Sequence, residues 1–292
     1  MLVELDKAPD VAAIYRRAIT RALPIPGRGG LGFGRRDDRP NTLPDTVLVL
    51  RNVTASRAKL AAYDRVCGFG LTDTLPPTYP HVLAFPLAMK LMSDDDFPFP
   101  MVGLVHVANR IEVLRPIDAA ETLTLRVHAE GLREHPRGRQ CDLVAEALVG
   151  DEVVWRGVSS YLRRESKTAG DSGSERANPP AANAQWRLTP RTGTDYADVS
   201  GDRNPIHTSA IGARLLGFRR PIAHGMWTKA HCLAALTGRL PAAYVAEVEF
   251  KAPILLPATV AFASVPDGDG WRIAVYDPQS GRPHLRGAIL PS

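Results

Sequence analysis

The sequence predicts an α+β protein built from two copies of one unit, each an antiparallel sheet wrapped around a central helix. Three observations predict it. The chain has 292 residues, enough for two domains of ordinary size. Glu165 to Gln185, ESKTAGDSGSERANPPAANAQ, carries almost nothing to bury and reads as a linker at 165–185. The segments on either side of it match each other. RIEVLRPIDAAETLTLRV from Arg110 and EVEFKAPILLPATVAFAS from Glu247 align Glu112 with Glu249, Pro116 with Pro253, Ile117 with Ile254 and Thr122 with Thr259, all at an offset of 137. Carried back without a gap, the same offset sets Met89 against Met226. At an offset of 133, Tyr63, Val66 and Gly68 match Tyr196, Val199 and Gly201.

Each copy, 1–164 and 186–292, then reads in the same order. A short strand opens it, TVLVLRNVT in the first copy and a strand near Trp186 in the second. A helical turn and an irregular loop follow. Next comes an apolar segment with helical spacing, Ala84 to Met92 in the first copy and Gly225 to Leu236 in the second. Strands with period-two alternation complete each copy: Glu121 to Ala129, Cys141 to Leu148 and Glu152 to Leu162, then Val245 to Phe250, Thr259 to Val265 and Trp271 to Tyr276. One helix against a run of antiparallel strands gives the hotdog arrangement, here twice in one chain.

Composition narrows the functional classes. Hydrophobic residues make up 45% and charged residues 23%, which rules out a disordered chain. No apolar run approaches the roughly 20 residues that span a bilayer. The start, MLVELDKAPDVAAIYRRAI, has acidic residues where a signal peptide carries positive charge, so the expected location is cytoplasmic. Cys67, Cys141 and Cys232 are too scattered for a disulfide framework or a metal site and read as packing residues. The net charge of +5 comes from dispersed pairs such as Arg16-Arg17 and Arg219-Arg220 rather than from a basic stripe, which argues against nucleic acid. It suits an anionic small molecule or an acidic carrier protein.

One stretch concentrates chemistry. VSGDRNPIHTSA from Val199 places Asp202, Asn204 and His207 around Pro205, a residue that a helix interior does not tolerate. On a regular helix Asp202 and His207 would lie on different faces. With Pro205 stopping the helix, a loop turns both toward one point. A bare Gly-Asp-x-Asn-Pro is also a good turn with no catalysis, and the added His207 is what favours the chemical reading.

YADVSGDRNPIH followed by RRPIAHGM resembles the hydratase-2 signature of the MaoC-like dehydratases, the (R)-specific enoyl-thioester hydratases. The whole chain is similar to actinobacterial 3-hydroxyacyl-thioester dehydratases with two hotdog repeats, of which the second carries the catalytic loop. The resemblance implies reversible addition of water to a trans-2-enoyl thioester, giving the (R)-3-hydroxyacyl thioester. Such a reaction takes a proton from water, returns one to the α-carbon and stabilises an enolate-like oxygen. Asp202 and His207 would share the proton transfers as a coupled pair, with neither step assigned to one of them. Asn204 would orient the loop or the water. Gly225, at the start of the second copy's helix, would offer the oxyanion its N–H. His224 either contacts substrate or caps the loop. Met226 and Trp227 line the core or, alternatively, an acyl pocket.

No metal and no cofactor is expected; the substrate arrives as a CoA or acyl-carrier-protein thioester, to a monomer or a homodimer. His81, His106, His135, His231 and His284 show no metal spacing and read as surface or satisfied core residues. Where the second copy has Ser200-Gly201-Asp202, the first has Cys67-Gly68-Phe69, and at the offset of 137 His224 and Gly225 face Leu87 and Ala88. The first copy would therefore close the sheet and give room to a bulky acyl chain. The alternatives are a hotdog thioesterase, and a non-catalytic acyl-binding or scaffolding subunit.

Overall fold

The computed structural model describes residues 1–22, 39–165 and 179–292. Strand β1 (Leu2–Leu5) and helix α1 (Val11–Ala22) precede the first repeat. That repeat runs β2 (Val47–Val53), α2 (Arg57–Cys67), α3 (Tyr79–Ser93), β3 (Leu104–Val113), β4 (Leu123–His135), β5 (Gly138–Val149) and β6 (Glu152–Arg164). The second runs β7 (Ala184–Leu188), α4 (Thr192–Ser200), α5 (Pro205–Thr208), α6 (Ala210–Leu215) and α7 (Gly225–Ala234). Strands β8 (Tyr244–Phe250), β9 (Ala258–Asp267), β10 (Gly270–Tyr276) and β11 (Pro283–Pro291) close it. Most of the expected linker, 166–178, lies outside the described residues, and β7 takes up its last two positions.

The strands form one sheet of eleven in the order β1-β2-β4-β5-β6-β3-β8-β11-β10-β9-β7. Leaving out β1, the order reads the same from either end once each strand is replaced by its counterpart in the other repeat. The fold is therefore a double hotdog with a pseudo-twofold axis through the seam between β3 and β8. Arg110 and Glu247, equivalent by the repeat offset, face each other in that antiparallel seam. The Arg110 Nε donates to Glu247 Oε1 at 2.8 Å. Tyr63 of α2 and Tyr196 of α4 also match in the repeat, and their rings meet across the same axis at 6.2 Å.

Alternation explains the sheet. Leu123, Leu125 and Val127 of β4 point inward at 1% exposure or less and bury against α3, while their neighbours face outward. Helix α3 carries Leu87, Met89, Leu91 and Met92 into the first repeat's core. It begins at Tyr79 rather than Ala84, because Pro80 sits in the first turn, where a missing N–H costs nothing. The interior Pro86 hid that continuity. Leu87 and Ala88 are consequently mid-helix; Thr78 and Tyr79 hold the helix start that His224 and Gly225 hold in the second repeat.

Helix α7 is tied to the seam by a buried lysine. Lys229 is fully buried, and its Nζ donates to the Asn109 carbonyl at 3.1 Å, Asn109 Oδ1 at 2.6 Å and the Ala246 carbonyl at 2.9 Å. Three acceptors match three ammonium donors, which offsets part of the desolvation that pushes its pKa down. Asn109 lies on β3 and Ala246 on β8, so one side chain fixes the second repeat's helix to both repeats. The N-terminal segment adds a feature outside the repeat: β1 pairs parallel to β2, and α1 packs beside α3.

Candidate active site

Local sequence rules build the loop between α4 and α5. Helix α4 ends because Gly201 takes a left-handed conformation, φ 77°, which glycine adopts freely. Pro205 does not stop a helix, as its position suggested; it starts α5 as that helix's first residue, and Gly201 provides the stop. Asn204 is the N-cap, its Oδ1 accepting from the Ile206 N–H at 3.3 Å, and its own N–H donates to Asp202 Oδ1 at 3.2 Å. The amide thus orients the loop. Asp202 and His207 end on the same side of it.

His207 is buried, and its Nδ1 lies 2.8 Å from the Ile222 carbonyl. An oxygen with no proton requires Nδ1 to be the donor, which leaves Nε2 as the unprotonated acceptor facing the site. His224, the residue before α7, stacks on the His207 ring at 3.6 Å. Its Nε2 donates to the Asp202 main-chain carbonyl at 3.0 Å, while its Nδ1 is buried without a partner. That bond places His224 as a clasp between the helix start and the loop. Burial pushes the pKa of His207 down against the Asp202 field and takes His224 to about 3. Burial pushes Asp202 up, but His224, His207, the Tyr15 hydroxyl and the Asn204 N–H outweigh it and hold the carboxyl below its usual range. The result is a carboxylate held ionised beside two imidazoles whose charged forms burial disfavours.

Nothing in the sequence pointed to Tyr15. Its hydroxyl, carried by α1, donates to Asp202 Oδ1 at 2.6 Å. Oδ2 is left facing His224 Nε2 at 3.8 Å. Gly225 opens α7, where the first-turn N–H groups have no helical acceptor. A Cβ there would meet Phe250 Cε1 at 2.9 Å, so the glycine admits the Phe250 ring.

Met226 and Trp227 are buried in the core, and the Trp227 Nε1 donates to the Val66 carbonyl of α2 at 3.0 Å. Neither lines the cavity described next. His231 bonds the Cys67 carbonyl at 2.8 Å and is a satisfied core residue. His106 is not, because its Nε2 is buried without a partner. His81 and His106 reach the field of Asp202 from the first repeat and adjoin a small cavity of about 10 Å³ between α3 and the sheet. Its walls are Ala84, Phe85, Ala88, Val127, Leu143 and Ala145, with His81 and Tyr161 among the polar residues. Most of its crevices are narrower than a water molecule, so a chain entering it must move side chains.

The donor atoms of Asp202, His207 and His224 lie within 4.8 Å of one another. Two nitrogens and a carboxylate at that spacing also suit a divalent ion. They equally suit a water held for proton transfer, because each residue already spends one polar atom on the loop or on Tyr15 and keeps another free.

Residues 172–272 match the MaoC like domain. The chain is 38% identical to 3-hydroxyacyl-thioester dehydratase X of Mycobacterium tuberculosis over 257 residues, 86% of this chain and 91% of that protein. A 63-residue stretch, 20% of this chain and 40% of its counterpart, is 41% identical to 3-hydroxybutyryl-CoA dehydratase of Methylorubrum extorquens. The crystal structure of M. tuberculosis HtdX superposes with a TM-score of 0.77 at 37% identity, covering 84% of this chain and all of that one. With its double hotdog, its Asp-x-Asn-Pro-x-His loop and a relative aligned along most of its length, the chain belongs to the MaoC-like dehydratases.

Proposed function

We propose that the chain hydrates trans-2-enoyl thioesters reversibly to (R)-3-hydroxyacyl thioesters, acting as a dehydratase in the other direction. The observation that carries this reading is the convergence of Asp202 and His207, an ionised carboxylate and an imidazole with a free Nε2, beside the open N-terminus of α7.

A water held by both groups gives up one proton to the pair as its oxygen attacks the β-carbon. The pair returns one proton to the α-carbon, so that H and OH add across the double bond and the dyad ends as it began. Charge that builds on the thioester oxygen meanwhile is met by the Gly225 N–H and the positive end of α7. The ring stack with His224 and the bond to the Ile222 carbonyl fix the His207 tautomer, so no reorganisation is needed at the moment of transfer.

The first repeat supplies the acyl site: the cavity beneath α3 is apolar over most of its wall, and Tyr161 in that wall feels the Asp202 charge. Water is the only co-substrate, with no metal or cofactor. The thiol carrier is CoA or acyl carrier protein, either of which the chain's net charge of +5 would attract. No helix among the described residues is long and apolar enough to cross a membrane, in keeping with cytoplasmic acyl metabolism.

The test is to incubate purified protein with crotonyl-, dodecenoyl- and bulkier enoyl-CoA, following loss of the conjugated enoyl absorbance, product configuration and free thiol. Hydration to the (R)-alcohol without thiol release is expected. Thiol release would mean thioester hydrolysis instead, and inertness toward every ester would leave a binding role.

A further inference from the structure

His81 on α3, His106 on β3 and Tyr161 on β6 cluster at the apolar pocket, whose wall includes His81 and Tyr161, and the His106 Nε2 is buried without a hydrogen-bond partner. The His106 ring stacks on Tyr161 at 4.7 Å and lies 6.3 Å from His81. It also meets Phe250 edge-on at 5.1 Å, the same ring that covers Gly225. The neck therefore adjoins the helix start on one side and the acyl cavity on the other. A register shift in β3 between His106 and Ala108 aims the imidazole there, a common use of a bulge beside a site.

Buried polar groups are nearly always hydrogen-bonded, and leaving one bare costs about 1–3 kcal/mol. The bare His106 Nε2, flanked by the His81 ring and the Tyr161 phenol, calls for a ligand with a polar atom. Burial takes His81 to about 4 and His106 to about 3, so both rings are neutral at neutral pH. The nearby Asp202 carboxylate disfavours an anion, and desolvation disfavours any charge. Neutral imidazoles and a phenol offer acceptors and donors at once, a match for a hydroxyl group, which needs both.

We propose that His81, His106 and Tyr161 form a polar neck that selects enoyl thioesters carrying a hydroxyl group on the acyl chain beyond the reacting double bond. This rests on the hydratase reading and adds a substrate class to it. An apolar chain passing the neck strips these groups of water and leaves them unpaired, whereas a hydroxylated chain replaces that water. Sites built to bond a hydroxyl discriminate against the analogue lacking it far better than an apolar pocket does.

The experiment compares kcat/KM for trans-2-enoyl-CoA esters of equal length, plain or hydroxylated at the fifth to the eighth carbon. Wild type, His106→Phe and Tyr161→Phe are measured side by side. At least one hydroxylated isomer is expected to exceed the plain chain by about tenfold or more in wild type, and the ratio is expected to fall toward one in both variants. The ratio does not depend on how much of a variant folds. A wild type that handles the plain chain as well as every hydroxylated isomer would overturn the inference, the neck then holding water alone. So would a preference that survives in both variants. Failure to hydrate any ester would instead sink the hydratase reading and this inference with it.

Discussion

The Tyr15 hydroxyl donates a 2.6 Å hydrogen bond to Asp202 Oδ1 across 187 positions of sequence. It links α1, which lies outside both repeats, to the Asp202 loop of the second. Hydrogen bonds to a charged acceptor are worth roughly 1.5–3 kcal/mol. Tyr15 therefore positions the carboxylate, leaves Oδ2 for water and favours the ionised form.

Tyr15→Phe removes that donor and nothing else of size. The Asp202 carboxyl should then ionise less readily, moving the acid limb of the kcat profile to higher pH and lowering kcat about tenfold, with KM little changed. A purely structural role for Tyr15 would lower Tm and leave the pH profile where it is.

Stability should fall as the solution is acidified. His81 is held at about 4, and His106 and His224 at about 3, all below the ordinary 6.5 of an exposed imidazole. Between those values and 6.5 the unfolded chain binds more protons than the folded one. Their contribution is thus complete above about pH 6.5 and is lost as pH drops toward 4. Asp64, raised to about 6 by burial, acts in the opposite sense below that pH, one group against three. Melting curves at pH 7.5, 6 and 5 should show a steady fall in Tm, less steep in His106→Phe. A Tm that holds constant over that range would mean the imidazoles are not buried neutral.

Gly225→Ala places a methyl 2.9 Å from Phe250 Cε1, close enough that the ring must shift. If the Gly225 N–H serves the thioester oxygen, hydration should slow by tenfold or more with only a small change in Tm. Loss of an oxyanion donor outright commonly costs about 3 kcal/mol, an upper bound here because the N–H remains. A variant with a much lower Tm but full activity per folded molecule would make Gly225 a packing partner of Phe250.

How much of this was legible depended on how local each feature is. Gly201, Asn204 and Pro205 are a helix stop, a cap and a helix start within five residues, so the convergence of Asp202 and His207 could be read directly, though Pro205's part in it was misjudged. The duplication was legible because the seam strands run on into the next loop without a gap, which keeps Glu112 with Glu249 and Pro116 with Pro253 at the offset that pairs Arg110 with Glu247. It failed in the helices, where α3 has 15 residues to the 10 of α7, so an offset carried back without a gap set Leu87 and Ala88 opposite the wrong residues. Tyr15, His81 and His106 were invisible for a different reason. Each meets the field of Asp202 only through tertiary packing, and no periodicity within α1, α3 or β3 marks a residue that faces another repeat's loop.

Asp202, His207 and His224 have the composition of a metal site, yet the proposed chemistry needs only their protons. Prolonged treatment with EDTA, followed by assay in metal-free buffer, should leave the hydration rate unchanged. A loss restored by zinc would assign the cluster to metal-assisted addition of water.

In the proposed reaction the second repeat's Asp202 and His207 perform the proton transfers. Its most direct test is the hydration rate of crotonyl-CoA by Asp202→Asn and His207→Ala, each first shown by circular dichroism and Tm to be folded. Positioned acid–base groups typically contribute 100-fold or more, so each variant should lose about 100-fold in kcat. Folded variants that both keep more than a tenth of wild-type turnover would contradict the account and place the chemistry elsewhere in the molecule.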